Sequence, residues 1–222
     1  MIGIITATQQ EFEVLNHLLG TGEQGRMRFI TGTLGNTEVA GVQAGIGKVN
    51  AALCAQKLID TYPVDAIINV GVAGALDPAL HVGDMVISAD ALQHDFDTTY
   101  FGDEPGQITG FNSIEFKADK DLVELAEKAA KALDFRYKVG RILSGDQFIC
   151  DTAKKDWLVS HFAGDCTEME GAAIAQVCTV NAIPFVILRA ISDGADDGAG
   201  MSYDRFVVYA AERAAALLKE ML

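Results

Sequence analysis

Proline and cysteine each occur only four times in 222 residues, and 17 Lys and Arg face 31 Asp and Glu. So few prolines, with 50% of residues hydrophobic, exclude a disordered or low-complexity chain. Cys54, Cys150, Cys166 and Cys178 lie far apart without C-x-x-C spacing, which excludes a disulfide framework and predicts buried, reduced thiols. His17, His81, His94 and His161 show no H-E-x-x-H or similar spacing, so neither a metal nor a cofactor is expected. No segment reaches the roughly 18 apolar residues of a membrane span. The opening MIGIITATQQE has neither a basic stretch nor a small-residue cleavage site, and a cytoplasmic protein is expected. The formal charge of −14 is a poor match for phosphate backbones and anionic membranes. The expected ligand is therefore small, and neutral or cationic.

What is present is an alternation of strand-like and helix-like segments. MIGIIT reads as a strand and EFEVLNHLL as a helix ending at Gly20. MRFITGTLG and TEVAGVQAG read as two strands joined at Gly35-Asn36. An alanine-rich helix runs from Lys48 to Tyr62 and is stopped by Pro63; residues 65–76 then form an apolar strand entering a glycine-bearing turn. Residues 84–97 are β-rich, and 102–114 form a long polar loop. A helix over 118–133 precedes the strand YKVGRIL. Next come a helix capped by Asp151 or Thr152, a short strand GDCTEME, a helix of small residues, the strand PFVILRAISD and a closing amphipathic helix. This order predicts an α/β fold: a single domain over 1–222, a three-layer sandwich whose central mixed β-sheet is flanked by helices. The early strand pair argues against a purely parallel sheet.

Ligands of such sheets bind where loops leave the carboxyl ends of strands. Those exits carry TATQQE to Glu11, GIGK (45–48), VGVAGA (70–75), SGDQF (144–148), EMEG (168–171) and ISDGADD (191–197). Lys48 and Arg189 are the only basic residues in or beside them. The glycine segments match neither a dinucleotide nor a P-loop pattern, and tight turns compete evenly with backbone contact to a ligand. Glu168 and Glu170, two apart at a strand end, are expected on one face beside Met169. With Glu11 and Asp193 they suggest an apolar pocket lined by carboxylates. Burial raises a carboxyl pKa toward the working pH, which suits proton transfer and glycosidic cleavage. Each acid alone is equally well a helix cap or a solvated turn.

Taken in order, IGIITATQQE, GIGKVNAA, VGVAGAL, SGDQFI, EMEGAAIAQVC and IPFVILRAISD resemble the nucleoside phosphorylase-like superfamily, and within it the 5′-methylthioadenosine/S-adenosylhomocysteine nucleosidases. The resemblance spans the chain. It implies hydrolysis of the N-glycosidic bond of an adenosine thioether. Asp193 would protonate N7 of adenine with Ser192 supporting it, and Glu11 would hold the attacking water with help from Arg189. Glu13 is the alternative base if the register slips by two. Glu170 would bind the ribose hydroxyls, Met169 would pack near the sugar, and Glu168 would lie beside them. Phe148 would stack on the purine, and the Ile149 backbone would read its Watson–Crick edge. The 5′-substituent would meet Ile46, Phe101 and Tyr203, with Phe101 and the 102–114 loop supplied across a homodimer interface. Val72 stands where many relatives carry serine, and Thr109 where proline is common.

The nearest rival is a nucleoside phosphorylase, which must hold a phosphate dianion, usually with arginines. TATQQE contains none, and Glu11 would repel phosphate where the water sits. A futalosine-type nucleosidase would use the same purine and ribose contacts. A non-catalytic nucleoside binder would be expected to lack Asp193 or Glu11, and an oligomeric scaffold has only loop aromatics in its favour.

Overall fold

A computed structural model describes residues 1–19 and 28–222. Among these residues the elements are β1 (Ile2–Thr6), α1 (Gln9–Leu19), β2 (Arg28–Leu34), β3 (Thr37–Gln43), α2 (Lys48–Thr61), β4 (Ala66–Ala75) and β5 (Met85–Gln93). They continue with β6 (Phe116–Lys117), α3 (Lys120–Ala132), β7 (Tyr137–Ser144), α4 (Thr152–Phe162), β8 (Cys166–Glu168), α5 (Gly171–Val180), β9 (Phe185–Asp193) and α6 (Ala199–Met221). The predicted stop of α1 at Gly20 lies outside the described residues.

The strands form one nine-stranded mixed sheet, with β3, β1, β4 and β9 side by side and parallel. The hairpin at Gly35-Asn36 forms as read, pairing β2 with β3 antiparallel. Further along, β9 also pairs β5, β5 pairs β7, β7 pairs β8, and β8 returns to the end of β4. Those pairings close a ring of five strands at one end of the sheet. Irregular register between Ala73 and Gly74 of β4 and between Ser88 and Asp90 of β5 supplies the bending that closure requires.

Period-two alternation divides the apolar side chains between two layers. Ile5, Ile67 and Ile187 pack beneath α2 and α5. Their neighbours Ile4, Ile68 and Leu188 pack beneath α3 and α6. Helices thus cover both faces of the sheet, as the alternation of segments predicts. A smaller cluster under α4 joins Leu158 and Phe162 to Leu92, Leu143 and Ile149.

Two features differ from the sequence reading. VGVAG is no turn: β4 runs on to Ala75 with an irregular register at Ala73/Gly74, and its glycines make room for bulky polar groups. Three of the thiols are buried, but Cys150 is exposed beside the cap of α4. Among the described residues no helix is long and apolar enough to cross a membrane.

Candidate active site

At the carboxyl ends of β1, β4, β8 and β9, the layer facing α2 and α5 changes from apolar to polar. A cavity of about 350 Å³ opens there, with Glu11, Glu168, Glu170 and Asp193 in its walls, and no basic side chain among its described lining residues. Val72, Ile46, Phe148, Met169 and Tyr203 supply apolar surface. Phe148 and Tyr203 meet edge to face at 5.6 Å. A larger recess of about 430 Å³ lies at the start of β9, but the Asp119 carboxylate there is already engaged by two N–H groups of α3. It presents no comparable set of acids.

Glu11 owes its position to a helix start. Thr8 accepts a hydrogen bond from the Glu11 N–H at 3.3 Å, and Glu11 Oε2 accepts from the Thr8 and Ala7 N–H groups, each at 2.9 Å. This is a capping box, written in the sequence as T-x-x-E. The Val72 N–H on β4 donates to Oε1 at 3.2 Å, so the carboxylate bridges α1 and the sheet. Glu13 is exposed and bonded to Gln9, which removes it from the cavity.

Glu168 and Glu170 do not share a strand face. The strand ends at Glu168, and Glu170 is the N-cap of α5. Glu168 accepts from Ser144, from Arg189 and from the N–H groups of Glu170 and Gly171. Its oxygens are therefore committed within the protein. Glu170 accepts one bond, from the Gly47 N–H at 2.7 Å, which leaves its other oxygen to the cavity. Burial, and then the charge of Glu168, push the Glu170 pKa up to about 8.

Arg189 is 2% exposed and sits behind the cavity wall, not in it. Its guanidinium donates to Glu168, to the Asn69 side chain at 2.5 Å and to the Leu188 carbonyl at 3.1 Å. Its described contacts run to Glu168, Asn69 and the backbone, beneath the acids that line the cavity. Asp193 accepts from Ser192 at 2.8 Å and from the Ala195 N–H at 2.9 Å. Ala195 itself holds a left-handed φ of 50° as the chain turns away from Asp193. Burial raises the Asp193 pKa above its ordinary value. Lys155 of α4 ties down the loop that follows, donating to the Gly194 carbonyl at 2.7 Å.

The Ile149 side chain points into the core under α4, and a recess of about 30 Å³ between Phe148, Ile149 and Asp193 extends the cavity. Phe101 is not among its described lining residues: the ring is 80% exposed and meets Tyr100 edge to face. Sequence reasoning missed Asn69, Ser144 and Gly47, whose contacts hold the acids in place. It also missed why β4 needs glycine. A Cβ on Gly71 would lie 2.8 Å from Glu11 Oε1, and one on Gly74 would lie 2.7 Å from Asp193 Oδ1.

Comparison with known proteins gives this geometry its relatives. The family model described as Phosphorylase superfamily matches residues 1–222. A 5′-methylthioadenosine/S-adenosylhomocysteine nucleosidase of Staphylococcus carnosus is 41% identical over 226 residues, spanning 100% of this chain and 99% of its own. The chain belongs to this nucleosidase family, within the phosphorylase superfamily.

Solved structures of such nucleosidases resemble this chain as well. The enzyme from Neisseria meningitidis, in complex with methylthio-immucillin-A, superposes with a TM-score of 0.95 at 36% identity, covering 99% of this chain and 97% of that one. A futalosine hydrolase of Helicobacter pylori reaches a TM-score of 0.94 at 34% identity, covering 99% and 96%. The α/β sandwich expected from the sequence is the fold of these nucleosidases.

The close approach of β4 to Glu11 predicts the behaviour of Gly71→Ala. Glu11 is held by three N–H groups and cannot swing aside, so the added methyl displaces its carboxylate. Nucleosidase activity should fall by about 100-fold or more, and the crowded methyl should lower the urea unfolding midpoint as well. Full activity in the variant would show that Glu11 need not sit where it does.

Proposed function

We propose that the protein hydrolyses the N-glycosidic bond of 5′-methylthioadenosine and S-adenosylhomocysteine, releasing adenine and the corresponding thioribose. The observation that carries the reading is the lining of the cavity: four acids, apolar walls and no basic side chain among the described residues. A phosphorylase would have to bring a phosphate dianion into that field, at a Coulombic cost that water does not incur.

In this reading Asp193 is the general acid. An adenine anion leaves slowly, whereas protonation at N7 lets the C1′–N9 bond break with the purine departing neutral. Its raised pKa keeps a proton available, and the Ser192 and Ala195 bonds fix the carboxyl toward the purine. The sugar left behind carries oxocarbenium character, which the surrounding carboxylates stabilise. Water attacks C1′ and gives its proton to Glu11, whose capping-box bonds keep it at the sheet. Glu170 takes the ribose hydroxyls on its free oxygen, Met169 packs on the sugar, and Phe148 and Tyr203 hold the purine and the 5′-group. Arg189 and Glu168 act as positioning residues beneath them.

We further infer a homodimer in the cytoplasm. Val49 and Leu53 on α2 are 69% and 57% exposed, and Ile46, Val180, Tyr100 and Phe101 add further exposed apolar surface. A second copy seated there would cover this patch and bring Phe101 to a neighbouring 5′-pocket.

Purified protein should release adenine from methylthioadenosine in phosphate-free buffer, yielding free methylthioribose. Asp193→Asn should lower turnover by roughly 1,000-fold or more while retaining nucleoside binding. Release that requires phosphate would identify a phosphorylase, and preferential cleavage of futalosine a hydrolase of the second kind.

Ribose hydroxyls donate to an ionised carboxyl, so binding favours the deprotonated form of Glu170. A carboxyl that titrates near 8 in the free protein must lose its proton on binding below that pH. Affinity for a non-hydrolysable nucleoside should therefore rise from pH 6 to 8, by up to about tenfold per unit. The slope should vanish in Glu170→Gln; calorimetry across that range measures both, and a flat wild-type profile contradicts the coupling. For the dimer, Leu53→Asp should sediment as a monomer with reduced activity, and an unchanged sedimentation coefficient would remove α2 from the interface.

A further inference from the structure

Lys48 is a basic residue at the strand exits to which the mechanism gives no role, and it is not a solvated surface charge. Its side chain and that of Asp95 are each only 16% exposed. Lys48 Nζ donates to Asp95 Oδ1 at 2.5 Å and to Gln93 at 3.0 Å. Asp95 Oδ2 accepts from the Asp146 N–H at 2.8 Å, and Asp146 Oδ1 accepts from the Lys48 N–H at 2.7 Å. The three residues thus close a ring of hydrogen bonds across three separate loops, those leaving β3, β5 and β7.

Two of those loops carry ligand-facing groups. Gly47, next to Lys48, gives its N–H to Glu170, and Phe148 lies two residues beyond Asp146. Gly47 holds a left-handed φ of 97°, and a Cβ there would stand 3.0 Å from Asp146 Oδ1, so this peptide is set against Asp146 with no room to spare. On the other side of the ring His94 is buried under Gly145, and its N–H donates to the Ser144 carbonyl at 3.0 Å. Burial works to raise the Asp95 carboxyl, but the Lys48 ammonium and the Asp146 N–H outweigh it and hold Asp95 below its ordinary value. Hydrogen bonds from an ammonium to a half-buried carboxylate are strong and directional.

We propose that the Lys48–Asp95–Asp146 ring is a specificity-determining device that fixes the direction in which Glu170 presents its free oxygen to the sugar, and so sets the preference for an intact ribose diol. Holding the Gly47 N–H on Oε1 leaves Glu170 a single oxygen in one orientation. When the ring opens, the Gly47 peptide is free to turn, and Glu170 no longer distinguishes a sugar bearing both hydroxyls from one lacking either. The same ring ties the purine-facing Phe148 loop to the sugar-facing Gly47 loop. The inference rests on Glu170 as the ribose ligand.

The test compares kcat/KM for methylthioadenosine with that for its 2′-deoxy and 3′-deoxy analogues. Asp95→Asn removes the charge and leaves one acceptor oxygen where two were, so it cannot accept from both Lys48 and the Asp146 N–H, and Asp146→Ala, at an exposed position, frees only the Lys48 N–H and spares the fold. Glu170→Gln serves as the reference. In both ring variants the preference for the ribonucleoside should fall by at least about tenfold, as expected for a lost hydrogen bond to a charged group. The loss should appear mainly in KM, with kcat within a few-fold of wild type, whereas general loosening of the fold would lower all three substrates together. A preference that collapses in Glu170→Gln but persists in both ring variants would overturn the proposal. A preference unchanged in Glu170→Gln would overturn the ribose reading of Glu170 itself, and the proposal with it.

Discussion

Arg189 divides its guanidinium between Glu168, Asn69 and the backbone, and the arrangement of acids above it depends on that buried charge. Three glutamates brought together in a low-dielectric wall repel one another, and an unpaired buried charge is costly. One cation beneath the wall, wholly withdrawn from water, offsets that repulsion without offering a binding site to an anionic ligand. Glu168 bears the direct contact and becomes a fixed part of the framework. That leaves Glu11 and Glu170 facing the cavity, each anchored by backbone N–H groups.

The same constraint accounts for the glycines of β4. With Arg189 opposite Gly71 and Asp193 opposite Gly74 in the parallel register, these polar groups crowd the adjoining strand. Only residues without a Cβ let the sheet continue beneath them. The strand keeps its hydrogen bonds, and the carboxylates gain a close backing that excludes water.

Much of this was legible in the chain. The alternation of apolar runs with helical patterns led to the fold, and Gly35-Asn36 to the hairpin, because such signals are local. Glu11, Glu170 and Asp193 stood at strand exits and do line one cavity. Glycine within V-G-V-A-G was read as a turn because a turn needs only its own residues, whereas its actual cause, Glu11 and Asp193, is distant in sequence. Glu168 and Glu170 looked equivalent by spacing, yet the strand ends between them and the helix N-cap turns the second away. Arg189 could not be assigned from sequence, since whether it meets ligand or glutamate depends on partners on β4 and β8. The T-x-x-E pattern of a capping box stands in the sequence but was not read as one; cap and cavity carboxylate prove to be the same residue.

The closed ring formed by β4, β9, β5, β7 and β8 carries a consequence for how the molecule fails. Asn69, Gly71, Arg189 and Asp193 lie on strands paired on both sides, with no free edge from which to fray. Segments of that kind open only with the whole structure. Heat or denaturant therefore meets the strands behind the site as part of the most protected cooperative unit of the fold, while the loops and helix starts that carry Glu11, Glu170 and Phe148 can open before it.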